Sequence, residues 1–387
     1  MLDTAKVMRI GLLGMGTVGG GVYEFAQARK DMEIAYILDI RQFPELQCTV
    51  TSDIDVILRD PTVDAVIETM GGLHPAYEYV CAALRAGKHV ITANKLLIAA
   101  HYRDLVQLAS ENHVALRCSA AVGGGIPWLP NLECALEQEN IIRISGIMNG
   151  TTNYILDSMH RSGAGFAEVL KKAQELGYAE KDPGDDINGA DIRRKIVISS
   201  NIAYGCVIQE SDVAVAGIET ITDADIAAFK RMGRICKLIA SSRKLSGAVA
   251  VYVEPALLEP PMHESAIPGN FNLISFTGEH IGKQSFYGQG AGRYPTAYNV
   301  LQDCVDVRNG LRGFYNNKME PMRVDNSSVI RQYYVRTAQI DEWLRVHIDT
   351  ILDCGVVTTP LSVTQMHAWL QEQKKTDPGC FVASIRE

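Results

Sequence analysis

The sequence predicts a multidomain α/β protein whose N-terminal domain is built on a parallel sheet. Three observations carry this. Apolar strand-like runs alternate with helix-like runs through the N-terminal third, the pattern of parallel strands joined by crossover helices. A glycine cluster lies at the first strand-to-helix junction. The chain, at 387 residues, also exceeds the size at which a single core stops growing, roughly 250–300 residues, so more than one folding unit is expected.

Taken in order, "VMRIGLLGMGTVGGGVYEFAQA" passes from an apolar strand through a glycine turn into a helix-like run. A second strand is "EIAYILDI" (33–40) and a third lies in "VDAVIETMGG" (63–72); helix-like "PAYEYVCAALRAG" and strand "KHVITAN" (88–94) follow. After the strand "VALRCSA" (114–120), "AVGGGIPWLPNLECAL" breaks the alternation, which places the first domain at 1–130. Residues 131–296 read as an α+β domain. There "DIRRKIVISSNIAYG" has helical spacing, whereas "GAVAVYVEPALL" and "NLISFTGEHIGKQSFYGQGAG" read as strands with turns between them. "PTAYNVLQDCVDVRNGL" reads as a helix returning to complete the first domain over 297–325, and 328–387 as a small terminal unit of strand, helix and strand.

Composition narrows the function. Hydrophobic residues make up 47% and charged residues 21%, the balance of an ordinary globular protein, and no run approaches the ~20 apolar residues of a membrane span. The N-terminus lacks a signal-peptide pattern, so a cytoplasmic location is expected. Nine scattered cysteines with no C-x-x-C pair argue against a disulfide framework or a zinc site. A net charge of −8 with no basic run excludes the electrostatic footprint of nucleic-acid binding. A small-molecule partner is expected.

Gly14, Gly16 and Gly19 form G-x-G-x-x-G at the first strand-to-helix junction. In a dinucleotide-binding (Rossmann-type) domain the first glycine makes the tight turn, the second lets a pyrophosphate approach the backbone, and the third packs helix on strand. The helix N-terminus adds free N–H groups and a positive dipole end. Asp39 closes the second strand, where a carboxylate accepts hydrogen bonds from the ribose hydroxyls, which favours NAD; Arg41, two residues on, can instead meet the 2′-phosphate of NADP.

The stretch "ELGYAEKDPGDDINGADIRRK" (175–195) crowds six carboxylates and four cations together. A solvated charged face is the ordinary reading of such a run. However, Asp191 precedes Lys195 by four residues, which puts both on one face of a helix. Lysine titrates near pH 10.4 in solution; desolvation or Arg194 lowers that value and a carboxylate raises it, so the spacing leaves the net direction open.

Several words together resemble the homoserine dehydrogenase family: "GLLGMGTVGGGV", "AGKHVITANKLLIA", "AAVGGGIPW", "GIMNGTTNYIL", "LGYAEKDPGDDINGADIRRK" and "GQGAGRYPTA", in the family's order over residues 10–300. The resemblance implies NAD(P)-dependent interconversion of L-aspartate 4-semialdehyde and L-homoserine, in threonine and methionine biosynthesis. It implies Lys195 as proton donor and acceptor, Lys95 as a second catalytic lysine at the nicotinamide end, and Asp191 beside the reacting group. Glu180, Asp186, Asn149 and Thr151 are the implied substrate-binding residues, with Thr152 and Asn153 in the same loop; these four loop residues read equally well as turn formers. The cofactor set is Gly14, Gly16, Thr17, Val18, Gly19, Asp39, Thr69, Met70, Lys95 and Gly290.

The resemblance also implies a sodium-binding turn, with carbonyls from Val122, Gly124 and Ile126; Ser119 stands where the family's ligating glutamate is expected. It further implies a homodimer or higher homo-oligomer through the middle domain. "RQYYVRTAQIDEWLRVHIDTIL" looks like the start of a truncated ACT-like unit, either regulatory or structural, with "DEWLR" replacing a glycine-containing turn. Two other functions fit the residues: a related oxidoreductase acting on another semialdehyde, and a silent nucleotide-binding regulator. "NGTTNYIL" and the retained Lys195, Glu180 and Asp191 weigh against them.

Overall fold

The structure is a computed structural model that describes residues 7–313 and 319–386. The chain divides into two compact units. The first comprises 1–138, 201–207 and 289–320, and the second 139–200, 208–288 and 321–387.

In the first unit the strands β1 (Met8–Leu13), β2 (Met32–Leu38), β3 (Thr49–Thr51), β4 (Ala65–Glu68), β5 (His89–Thr92) and β6 (Leu116–Arg117) form one parallel sheet in the order β3-β2-β1-β4-β5-β6. This is the doubly wound order expected of a dinucleotide-binding sheet, with its switch point between β1 and β4. Such strands are covered on both faces, so they read as continuous apolar runs instead of alternating. Ile10, Leu12, Ile37, Ile67 and Ile91 are accordingly fully buried. Helix Arg293–Arg308 packs Ala297, Val300 and Cys304 into the same core. Truncating Leu12 to alanine there would cost about 2–5 kcal/mol. "VALRCSA" is shorter as a strand than its apolar run suggests: Ser119–Ala121 turn into a 3-10 helix.

The second unit contains strands β7 (Ile141–Ile147), β8 (Ile235–Leu245), β9 (Ala248–Leu258), β10 (Phe271–Gly278), β11 (Gly282–Gln289), β12 (Ile330–Arg336), β13 (Ile348–Leu352), β14 (Gly355–Thr358) and β15 (Phe381–Ile385). They run side by side in the order β11-β10-β7-β8-β9-β15-β12-β14-β13, with two-residue strands alongside. Helix Gly150–Ser162 follows β7 and packs on β8 and β10. Its ends are fixed locally: Asn149 caps the N-terminus by accepting from Thr152 N at 2.8 Å, and Gly163 at φ +73° stops it.

The terminal segment builds a β-α-β-β-α-β arrangement from β12, helix Glu342–Val346, β13, β14, helix Val363–Thr376 and β15. The sequence reading missed the second helix and the last strand, and both are well signalled: Ser362 and Gln365 form a capping box, and Trp369 and Leu370 enter a core with Tyr333 and Val382. "DEWLR" is helical, with Asp341 as its N-cap. This segment joins the larger sheet, since β15 runs parallel to β9. The buried Glu254 of β9 accepts from His367 (3.1 Å) and Tyr333 (3.4 Å) and faces Arg386 at 3.6 Å.

Candidate active site

In the first unit the switch point is shaped by backbone constraints. Gly14 has φ +90°, and a Cβ there would stand 3.0 Å from Met70 Cα; a Cβ on Gly19 would lie 2.0 Å from Gly14 O. Both positions therefore require glycine. Nothing lies within 4 Å of the Cβ position of Gly16, so the outer side of the turn is open to a ligand. Thr17 and Val18 start helix Thr17–Gln27, where first-turn amides have no intrahelical acceptor. Thr69 hydroxyl donates to the carbonyls of Leu13 (3.1 Å) and Gly14 (2.9 Å), binding the end of β4 to the end of β1. These residues fit a dinucleotide.

Asp39 does not stand alone at the end of β2. It accepts from Met15 N at 2.9 Å and from Arg41 Nη2 at 2.8 Å, while Arg41 Nη2 also donates to Met15 O at 2.9 Å. Arg41 holds the Asp39 carboxyl well below the usual carboxylate range, against the opposing effect of burial. Asp39 and Arg41 thus form one ion pair at the end of β2.

Glu68, which the sequence reading passed over, organises the same end of the sheet. Its carboxylate accepts from Met70 N (2.8 Å) and Thr92 Oγ1 (2.5 Å), and Asn94 Nδ2 reaches Gly72 O at 2.6 Å. Burial pushes its pKa up. Its one signal in sequence is a carboxylate ending the apolar strand "AVIE". Asn94 caps helix Lys95–Glu111, and Lys95 is the first residue of that helix.

In the second unit the "NGTTNYIL" and "GDDINGADIRRK" words meet. Lys195 and Asp191 are both buried on helix Ala190–Tyr204, and Lys195 Nζ donates to Asp191 Oδ2 and Met148 O, each at 2.7 Å. Asn149 Nδ2 donates to Asp191 Oδ2 at 2.9 Å and Asp186 Oδ1 at 2.7 Å. The Asn149 amide is therefore used twice, its oxygen capping a helix and its nitrogen bridging two carboxylates. Burial raises the pKa of Asp186, and the neighbouring Asp191 charge adds to it. Thr151 hydroxyl donates to Tyr178 O at 2.6 Å, tying the helix start to the chain that leads into the charged stretch. Gly189 turns the chain into the lysine helix at φ +86°, where a Cβ would stand 2.8 Å from Val215 Cγ1.

Two predicted residues lie apart from this cluster. Glu180 is exposed on the turn before Pro183, and its described contact is through its carbonyl, which accepts from Gln174 Nε2 at 3.1 Å. Asn153 is buried and donates to the carbonyls of Gly269 (2.9 Å) and Phe271 (3.0 Å), a structural tie beyond the substrate loop. Its oxygen accepts from Lys237 Nζ at 2.8 Å. Lys237 was also passed over; burial lowers its pKa to about 8, against the attraction of Asp157. Arg194 instead pairs with Asp185 at 2.5 Å and Glu210 at 3.3 Å, away from the lysine amine.

The residues of the expected sodium turn do not fit a sodium ion. The carbonyls of Gly124 and Ile126 accept from Asn299 Nδ2 at 2.6 and 3.0 Å, and the Ser119 hydroxyl donates to Asp303 at 2.6 Å. Val122 is buried in the same turn, and Gly290 backs onto it: a Cβ on Gly124 would stand 2.6 Å from Gly290 O.

The family model for homoserine dehydrogenase matches residues 127–305, and that for the homoserine dehydrogenase NAD binding domain matches 14–119. Homoserine dehydrogenase of Bacillus subtilis is 37% identical over 357 residues, covering 87% of this chain and 82% of its own length. The Synechocystis enzyme is 36% identical over 352 residues, covering 87% of this chain and 80% of its own length. Among solved structures, homoserine dehydrogenase from Thiobacillus denitrificans superposes with a TM-score of 0.87 at 29% identity, covering 99% of both chains. The Staphylococcus aureus enzyme does so with 0.77 at 30%, covering 98% of this chain and 99% of that one. The chain belongs to the homoserine dehydrogenase family.

Proposed function

We propose that this NAD(P)-dependent oxidoreductase interconverts L-aspartate 4-semialdehyde and L-homoserine with Lys195 as the proton-transferring group. The network of buried Lys195, Asp191 and Asn149 with half-buried Asp186 carries the reading. The nicotinamide, when bound, supplies or takes up the hydride at the substrate carbon. In reduction Lys195 Nζ gives a proton to the carbonyl oxygen as it becomes an alkoxide; in oxidation the neutral amine removes the hydroxyl proton. Asp191 and Met148 O hold the amine in one place, so orientation is set before substrate arrives.

The substrate carries an ammonium, and Asp186 is the carboxylate of the network best suited to it. A partly desolvated carboxylate whose pKa is raised gains from a nearby cation. Glu180 offers a second carboxylate from its exposed turn. Thr151 and Asn149 position this loop, and Lys95 is assigned the polarisation of the aldehyde oxygen.

NAD is the favoured cofactor because Asp39 accepts from ribose hydroxyls; NADP is tolerated if the exposed Arg41 leaves Asp39 for the 2′-phosphate. An archaeal homoserine dehydrogenase of the same fold has been solved with NADPH. A homodimer through the sheet of the second unit is supported by exposed Ile142 and Tyr287, and sedimentation would reveal it. A cytoplasmic location is supported by nine free cysteines. Among the described residues no helix is long and apolar enough to cross a membrane. The deciding experiment is steady-state homoserine oxidation with NAD and NADP in parallel. Binding of NADH without turnover of either substrate would overturn the assignment.

A further inference from the structure

The buried turn 122–126 gathers backbone carbonyls, and such a turn needs positive charge or N–H donors close by. Helix Arg293–Arg308 supplies donors from within the chain. Asn299 is 1% exposed, and its Nδ2 lies 2.6 Å from Gly124 O and 3.0 Å from Ile126 O, so the two amide hydrogens satisfy two converging oxygens. One turn further along the same helix, Asp303 accepts from Ser119 N (2.9 Å), Ser119 Oγ (2.6 Å) and Arg117 Nε (3.0 Å). Residue 119 therefore brings no carboxylate to the turn, and both its amide and hydroxyl hydrogens go to Asp303. Arg117, 1% exposed at its side chain, balances the Asp303 charge and also faces Glu133 at 3.2 Å and Asp306 at 3.1 Å.

The turn is also geometrically closed. Gly124 has φ +54°, and the backbone of Gly290 and Ala291 lies within 2.8 Å of the position a Cβ would take. An ion ligated by the Gly124 and Ile126 carbonyls would have to share both oxygens with the Asn299 amide and sit beside its N–H donors, whose positive ends repel a cation.

We propose that the Asn299 carboxamide replaces a monovalent cation at this turn, and that the fold and activity of this enzyme are independent of sodium and potassium. Asn299 is a positioning residue here: it holds the turn and touches no reacting group. Because this concerns the stability of the turn, it stands apart from the assignment of Lys195.

The test compares thermal midpoint and kcat/KM in sodium, potassium and tetramethylammonium chloride at equal ionic strength. For the wild type we expect equal midpoints and kcat/KM values within about twofold in all three salts. In Asn299→Asp an anionic acceptor replaces the donor at almost unchanged volume, which creates a cation site; its midpoint should fall in tetramethylammonium and recover by several degrees in sodium. Asn299→Ala should lose stability in every salt and regain part of it in sodium. A wild type stabilised or activated by sodium overturns the proposal even if neither variant folds. So does an Asn299→Asp protein whose midpoint ignores the cation. The midpoint readout remains valid if the substrate assignment fails.

Discussion

Lys195 Nζ and Asp191 Oδ2 lie 2.7 Å apart, one helical turn from each other, and both side chains are buried. A buried ion pair adds little net stability compared with apolar packing, but removing one partner leaves a costly charge. Replacing Lys195 with methionine preserves the volume, and adding Asp191→Asn removes the orphaned charge. We expect Lys195→Met to lower kcat by at least about 10²-fold with NADH affinity unchanged, as measured by calorimetric titration. A near-normal kcat would remove Lys195 from the mechanism.

Asn149 has two separable tasks. Asn149→Ala should cost about 1 kcal/mol through the lost helix cap and also weaken kcat/KM, since Asp186 and Asp191 lose their shared donor. Asn149→Ser keeps a capping oxygen. Denaturant unfolding should therefore show stability largely restored in the serine variant, while kcat/KM stays low.

The raised pKa of Asp186 has a defined pH signature. A cationic substrate binds the carboxylate form, so its KM should rise as pH falls through the raised value, above the ordinary aspartate pKa of about 3.9. Asp186→Asn should show a higher KM that no longer changes over that window. A profile unchanged by the substitution would assign the ammonium to Glu180 instead.

Arg41 and Asp39 share one ion pair, so substitution at either should change cofactor choice. Arg41→Ala should reduce the NADPH-to-NADH preference, measured as the ratio of kcat/KM values, by about tenfold, equivalent to ~1.4 kcal/mol. NADH kinetics should change little. Equal losses with both cofactors would place Arg41 outside 2′-phosphate recognition.

Lys237 predicts a stability change at alkaline pH. Its folded pKa is depressed to about 8, whereas the unfolded chain keeps the ordinary lysine value. Between the two the unfolded state binds more protons, so stability rises with pH, by up to about 1.4 kcal/mol per unit. The contribution is least favourable below pH 8. Urea unfolding of wild type against Lys237→Met at pH 7.5 and 9.5 should show the difference shifting toward the wild type at the higher pH.

Much of the fold was legible because its signals are local. The strand, glycine turn and helix at Gly14–Gly19 follow from backbone sterics, and the pairing of Asp191 with Lys195 follows from helical spacing. The second helix and last strand of the terminal unit lie beyond a strand-helix-strand pattern that is complete in itself, although Ser362 and Gln365 mark a helix start.

By itself the sequence determined the α/β class, the dinucleotide turn, the family and the helix face that carries Lys195. Each depends on residues a few positions apart or on whole words of sequence. Only the tertiary structure decided which distant polar groups meet. Asn149 lies 42 residues from Asp191, Thr92 lies 24 from Glu68, and Asn299 lies 175 from Gly124. Periodicity gives the direction of a side chain relative to its own element; its hydrogen-bond partner depends on how elements pack. Burial then forces every polar group to find a partner. The same packing left Glu180 exposed and filled the expected sodium turn with an amide.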